Sequence, residues 1–273
     1  MIRPSSTRAA APTRKFEYGT YAWDWASRAA ARRASQSIDG VAMGLTLSVV
    51  VRVVTESTGW TAPRLGSVGS MTTADIRVLA DFAPRRTTRA QIFAQEVALV
   101  IGFALLTALA AQIEIPLGFT PVPLTGQTFA VLLSGAVLGF RRGALSQGAY
   151  WLMGLVGLPF YSGGVGGWES GTGATMGYLV GFIFAAAAIG YLAERKHDRS
   201  FASSFPAMLL GSTIIYASGA GWLAFHLGVP LANGERNAIT LGVAPFLVGD
   251  VLKALVAAGC TSTVWAALNG RRS

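Results

Sequence analysis

Apolar segments follow one another with only short breaks from Glu96 to the end of the chain, and almost every charge in this region lies in a break. About 20 apolar residues of helix are needed to cross the hydrocarbon core of a bilayer. A backbone inside lipid must also satisfy its hydrogen bonds within its own segment. The pattern therefore predicts an all-α membrane protein, a six-transmembrane-helix bundle with spans over 97–115, 124–140, 143–160, 175–193, 205–228 and 241–268.

The composition agrees with a membrane protein. Of the 273 residues, 52% are hydrophobic and 13% are charged, and the mean hydropathy is +0.48. Soluble domains average roughly 25% charged residues. The single cysteine, Cys260, excludes an intramolecular disulfide. We expect neither a metal site nor a cofactor.

Most of the net charge of +9 lies ahead of the first span, because residues 1–95 hold 13 Lys and Arg against 6 Asp and Glu. We interpret this distribution as a topology signal and not as a nucleic-acid-binding surface. Residues 1–95 are expected to be an N-terminal extension. It is either a disordered cytoplasmic tail or partly the product of an over-long reading frame that truly starts at Met71. Residues 96–273 are expected to form the membrane domain.

Lys and Arg also predict the orientation of the bundle. They recur before the first span and in every second break, whereas the alternate breaks contain Arg236 alone; the breaks that carry them hold Arg141, Arg142, Arg195, Lys196, Arg199, Arg271 and Arg272. Cytoplasmic loops of membrane proteins carry the excess of basic residues. We therefore expect a multi-pass protein of the cell membrane, in contact with the lipid bilayer, with both termini in the cytoplasm.

The last span contains two charges, Asp250 and Lys253, in an otherwise apolar run. Three residues apart, they share one face of a helix. One charge at the centre of a membrane helix costs about 2.5–3.5 kcal/mol on insertion scales, and such residues pair, line a cavity or meet a ligand. Two interpretations stay open, a structural ion pair and a ligand site.

Polar and aromatic residues gather at the predicted outer end of the bundle. Thr125 and Gln127 precede the second span, and the break after the third span contains Tyr161, Gly163, Gly164 and Trp168. Thr175 and Tyr178 begin the fourth span. With Asp250 and Lys253 they predict an outward-facing small-molecule pocket. There are two alternatives. Gln127 could form a hydrogen bond between helices, and Tyr161, Trp168 and Tyr178 could form an aromatic belt at the membrane interface.

Enzyme motifs are missing from the sequence. It contains no Gly-Lys pair for a phosphate-binding loop, no Gly-x-Ser-x-Gly elbow and no HExxH. We therefore expect no ATP hydrolysis by this chain and no enzyme activity. A membrane enzyme that uses Asp250, such as an acyl transferase or intramembrane protease, is a weak alternative, since a lone Asp lacks a second catalytic group. A purely structural membrane protein is another.

Small residues at four-residue spacing let helices approach closely. Ala104 and Ala108 show this spacing in the first span. They serve either packing within the bundle or a partner subunit.

Several stretches, in this order, resemble the BioY family of biotin transporters. They are FTPVPLTGQ over 119–127, GFRRG over 139–143 with Leu145 and Ser146, 150–160, Gly163 with Gly164, GATMGYLVGF over 173–182, and PFLVGDVLK over 245–253. BioY is the substrate-binding (S) component of an energy-coupling factor (ECF) transporter. The resemblance covers about residues 97–268. Met176 departs from it, because the family commonly has Gly there.

The resemblance implies high-affinity capture and uptake of biotin, with an S component for a different vitamin as the alternative. It also implies a coupling subunit that docks on Ala104 and Ala108, and two cytoplasmic ATPase subunits that alone use ATP. Asp250 would accept from the ureido N–H groups of biotin, and Lys253 would donate to the ureido oxygen or pair with Asp250. The implied substrate-binding residues are Thr125, Gln127, Tyr150, Tyr161, Gly163, Gly164, Trp168, Thr175, Tyr178, Asp250 and Lys253.

Overall fold

The computed structural model describes residues 77–82 and 88–270, and helices predominate in them. Most of the expected N-terminal extension, residues 1–76 and 83–87, lies outside the described residues. The α-helices are α1 Arg89–Ala111, α2 Gln127–Leu138, α3 Phe140–Leu155, α4 Trp168–Gly171, α5 Met176–Glu194, α6 Phe201–Leu227, α7 Ala238–Gly242 and α8 Leu247–Gly270. Short 3-10 helices cover Leu79–Phe82, Ser162–Gly164 and Ala244–Phe246, and strand β1 Glu114–Ile115 pairs antiparallel with β2 Leu124–Thr125.

Four helical runs among the described residues are long and apolar enough to cross a membrane: Arg89–Ala111, Met176–Glu194, Phe201–Leu227 and Ala238–Asn269. The second and third expected spans are shorter helices, α2 with 12 residues and α3 with 16. At a rise of 1.5 Å per residue they extend roughly 18 and 24 Å, against about 30 Å of hydrocarbon. Gly139, at φ 85°, ends α2 and starts α3, a conformation that glycine adopts without strain.

Helix α5 lies at the centre of the bundle and packs against α2, α3 and α6. Glycines permit this close approach. A Cβ atom added to Gly135 of α2 would lie 2.6 Å from the carbonyl oxygen of Ala186, and one on Gly177 of α5 would lie 2.3 Å from Cβ of Trp222. The recurrent small residues of these helices therefore serve packing inside the bundle.

A fully buried glutamine joins the first three helices. Gln147 of α3 donates to Ser134 of α2 over 2.9 Å and to Thr107 of α1 over 3.2 Å. Polar groups shielded from water need such partners, and interhelical hydrogen bonds of this kind hold membrane helices together.

The small-residue pair of α1 lies in the same interior. Ala104 and Ala108 are 0% and 7% exposed. Their burial favours packing within the bundle, and a role of these two alanines in docking a partner subunit stays a prediction. The exposed small residues of α1 are instead Ala90, Ala94, Ala98 and Gly102, also at four-residue spacing.

The bundle begins earlier than the predicted first span. Helix α1 starts at Arg89, with Thr88 as its N-cap, and not at 97. Arg142 of α3 binds both oxygens of Glu96 on α1, at 2.5 and 2.7 Å, and reaches Asp81 at 3.1 Å. Val78 is buried beside Leu138. Residues 78–82 are thus attached to the membrane domain, inside the range that we expected to be an extension.

Candidate ligand-binding site

A cavity of about 330 Å³ lies between the β-hairpin, the loop over 158–166 and helices α2, α5, α6 and α8. Small-molecule sites measure roughly 300–1,000 Å³. Its walls are mainly apolar, with polar groups at a few points. The polar and aromatic residues of its lining include Glu114, Thr125, Gln127, Thr128, Tyr161, Ser162, Thr175, Tyr178, Tyr216, Phe246, Asp250 and Lys253.

Asp250 and Lys253 form an ion pair at the cavity wall. The ammonium of Lys253 donates to Oδ1 of Asp250 over 2.6 Å and to the backbone carbonyl of Thr125 over 2.6 Å. Thr128 donates to Oδ1 of Asp250 over 3.0 Å, and Tyr216 donates to Oδ2 over 2.6 Å. Partners from β2, α2 and α6 therefore meet one turn of α8. The three donors Lys253, Thr128 and Tyr216 replace the hydrogen bonds that water would make to the Asp250 carboxylate outside the protein.

A second polar chain leads from this pair to the 158–166 loop. The hydroxyl of Thr125 donates to Oε1 of Gln127 over 2.7 Å, and Nε2 of Gln127 donates to the hydroxyl of Tyr150 over 2.5 Å. Tyr150 donates in turn to the carbonyl of Phe160 over 3.3 Å. The hydroxyl of Tyr150 has one proton, which it donates to the carbonyl of Phe160, so it can only accept from Gln127. Nε2 of the Gln127 amide, and not Oε1, therefore faces Tyr150.

The 158–166 loop is held by several further contacts. The N–H of Tyr161 donates to the carbonyl of Val165 over 2.9 Å, and Gly163 takes φ 74° in the turn between them. The hydroxyl of Tyr161 donates to the carbonyl of Trp151 over 2.6 Å. Burial raises the pKa of Tyr161 above its ordinary value, so this hydroxyl keeps its proton at neutral pH. Gln112 donates to the carbonyl of Tyr161 over 3.2 Å.

The structure brings together seven of the eleven substrate-binding candidates. Thr125, Gln127, Tyr161, Thr175, Tyr178, Asp250 and Lys253 line the one cavity.

The other four candidates are not among the lining residues. Tyr150 is 0% exposed behind Gln127. Gly163 and Gly164 shape the loop turn, and Trp168 is 73% exposed.

Sequence reasoning missed the two hydroxyl donors to Asp250, Thr128 and Tyr216. Thr128 follows Gln127 directly, and Tyr216 lies in the middle of apolar α6. A hydroxyl in an apolar helix is a weak signal, and its pairing with Asp250 is visible only in the fold. Glu114, inside the predicted first span over 97–115, lies instead in β1 and accepts a hydrogen bond from Ser162.

Comparison with known proteins gives consistent similarities. The family model of the BioY family matches residues 82–270. The biotin transporter BioY of Thermotoga maritima is 43% identical over 156 residues, which are 57% of this chain and 87% of that protein. The biotin transporter BioY of Rhizobium etli is 41% identical over 162 residues, covering 57% and 84%.

A solved structure shares the fold. The crystal structure of the S-component for biotin from an ECF-type ABC transporter matches with a TM-score of 0.58 and 27% identity. The match covers 66% of this chain and 94% of that one.

Proposed function

Because the chain belongs to the BioY family, we propose that it captures biotin and takes it up across the membrane as the S component of an ECF-type transporter. The observation that carries the proposal is the cavity beside Asp250 and Lys253. Relatives more than 40% identical to this chain are biotin transporters. Membership in a transporter family also argues against an enzyme, and we assign no reaction and no cofactor to the chain.

The polar inventory suits the ureido ring of biotin. A carboxylate has roughly four lone-pair sites, and Lys253, Thr128 and Tyr216 occupy three of those of Asp250. Oδ2 has room for one ureido N–H. Lys253 uses two of its three protons within the protein and keeps one for the ureido oxygen. Tyr161, Tyr178 and Phe246 supply apolar surface for the rings.

We propose that the chain crosses the membrane six times with both termini in the cytoplasm. Helices α2 and α3 then span with the help of their flanking residues, since a short apolar segment is accommodated by local thinning of the bilayer. Arg141 and Arg142 at the start of α3, and the basic residues between α5 and α6, support this orientation. Residues before Val78 are proposed to be an extension that biotin binding does not need.

Partner subunits follow from the same proposal. We propose that a transmembrane coupling subunit docks on α1 and that two ATPase subunits hydrolyse ATP. The exposed residues Ala94, Ala98 and Gly102 suit such docking, because a partner helix can approach small residues closely. Any role of Ala104 and Ala108 in docking would act through the packing of α1 on the bundle.

Binding of labelled biotin to the purified full chain in detergent tests the proposed function. We expect saturable binding at micromolar biotin or below, with unlabelled biotin competing and other vitamins failing to compete. A chain that starts at Met71 should bind equally well. Binding of another vitamin in place of biotin would assign the cavity to that vitamin, and binding of neither would refute a vitamin-binding S component.

A further inference from the structure

The charged groups around the cavity do not balance. Among the described residues its lining contains two carboxylates, Glu114 and Asp250, and one ammonium, Lys253. Lys253 is held by Asp250 and by the carbonyl of Thr125, both at 2.6 Å. The positive charge of Lys253 is thus balanced by the negative charge of Asp250. Glu114 leaves the lining with one negative charge in excess.

Glu114 lies where the hairpin meets the 158–166 loop. It is placed in β1, opposite Thr125 of β2. Its Oε2 accepts from the hydroxyl of Ser162, and a Cβ on Gly163 would lie 3.3 Å from its Oε1. Ser162 is a neutral donor. It satisfies a lone pair of Glu114 and leaves the charge uncompensated.

Biotin has one formal charge at neutral pH, the carboxylate that ends its tail. With the ureido ring at Asp250 and Lys253, we place the tail along the part of the wall that the hairpin residues 114–125 and the loop residues Tyr161, Ser162 and Val165 form. That wall supplies hydroxyl and carbonyl groups and the Glu114 carboxylate. A ligand carboxylate there meets a like charge, and a neutral amide does not.

Resting on the proposed function, we propose that the site recognises the uncharged ring system of biotin and accepts carboxyl-modified biotin, with Glu114 setting this preference. The ligand class then includes amides of biotin, such as biotin joined to an amine of a peptide. Glu114 disfavours the free acid relative to an amide of the same length. At partly solvated separations of several ångströms, a single like charge weakens binding by roughly three- to tenfold.

The test compares two ligands in two variants. The dissociation constants of biotin and of biotinamide are measured for the purified full chain and for Glu114→Gln. We expect the wild-type chain to bind biotinamide at least as tightly as biotin. Glu114→Gln should tighten the binding of biotin about three- to tenfold and change that of biotinamide less than about twofold.

The two-ligand design separates charge from structure. Loss of the Ser162 contact would shift both ligands together, whereas the charge acts on the anion alone. Glu114→Asp keeps the charge and should keep the wild-type ratio. If Glu114→Gln fails to fold, a salt titration of the wild type replaces it: raising salt should strengthen biotin relative to biotinamide, because screening weakens the repulsion.

An affinity ratio that is the same in wild type and Glu114→Gln would overturn the inference and leave biotin capture standing. So would wild-type biotinamide binding more than about tenfold weaker than biotin, since that result requires groups that favour the ligand carboxylate and outweigh the charge of Glu114. Failure of both ligands to bind the folded wild-type chain would refute the proposed function, and the inference with it.

Discussion

The side-chain amide of Gln127 donates to the hydroxyl of Tyr150 over 2.5 Å, and both residues are buried. The hydroxyl of Tyr150 donates in turn to the carbonyl of Phe160, the residue before Tyr161 in the loop. Gln127 lines the cavity and Tyr150 stands behind it. The pair therefore links the cavity wall on α2 to the position of the 158–166 loop.

Tyr150→Phe should loosen this loop. The substitution keeps the ring, which stacks on Phe160 at 6.5 Å, and removes the hydroxyl between Gln127 and Phe160. Leaving a buried donor and acceptor unpaired costs about 1–3 kcal/mol. We expect biotin to dissociate roughly ten times faster, measured by chase of labelled biotin. Tyr191→Phe, at a 47% exposed tyrosine of α5, is the matched control. An unchanged dissociation rate in a folded Tyr150→Phe protein would contradict this role.

Removing one charge of the Asp250–Lys253 pair should destabilise the protein more than removing both charges. Lys253→Met leaves the Asp250 carboxylate buried with only Thr128 and Tyr216 as donors. Removing one partner of a buried pair typically costs about 3–5 kcal/mol, and replacing both costs far less. Thermal unfolding in detergent should therefore rank Asp250→Asn/Lys253→Met above Lys253→Met in stability.

Both of these variants should lose biotin binding if the pair also contacts the ligand. A double variant that still binds biotin at the wild-type level would make the pair purely structural.

Enlarging the two faces of α1 should have different consequences. Ala98→Leu adds bulk to an exposed position, so it should reduce co-purification with the coupling subunit and spare biotin binding. Ala104→Leu adds the same bulk at a position that is 0% exposed. Overpacking of that kind typically costs about 1–3 kcal/mol. It should lower the unfolding temperature of the isolated chain. Normal co-purification of Ala98→Leu would argue against docking on the exposed face.

Asp198, in the turn between α5 and α6, should make stability pH-dependent. Burial raises the pKa of its carboxyl above the ordinary value, despite the hydrogen bond from Trp265. The folded state thus holds a proton at pH values where the unfolded chain has lost it. The contribution to stability is fully present below the unfolded pKa, about 3.9. It is lost as the pH rises to the folded pKa.

Asp198→Asn removes this titration and keeps an acceptor for Trp265. The unfolding temperature of the variant should fall less than that of the wild type between pH 4 and pH 7. Parallel curves for the two proteins would show that Asp198 does not contribute.

The long apolar helices were predictable because length and hydropathy are local properties. The predicted span over 175–193 agrees with α5 Met176–Glu194, and that over 205–228 with α6 Phe201–Leu227. The two shorter helices were predicted less well, since the break at Gly139 and the burial of Gln147 depend on their neighbours. Part of the site was predictable too, because Asp250 and Lys253 violate the apolar pattern around them.

The sequence by itself determined a helical membrane domain and a charged pair on one face of its last helix, because hydropathy and helical spacing act over a few residues. Only the tertiary structure decided which hydroxyl groups donate to Asp250, since Thr128 lies 122 residues away and Tyr216 lies 34 residues away. It also decided which small residues of α1 are exposed. Ala104 and Ala108 share their spacing with Ala94 and Ala98, and spacing alone cannot say which face of a helix its neighbours cover.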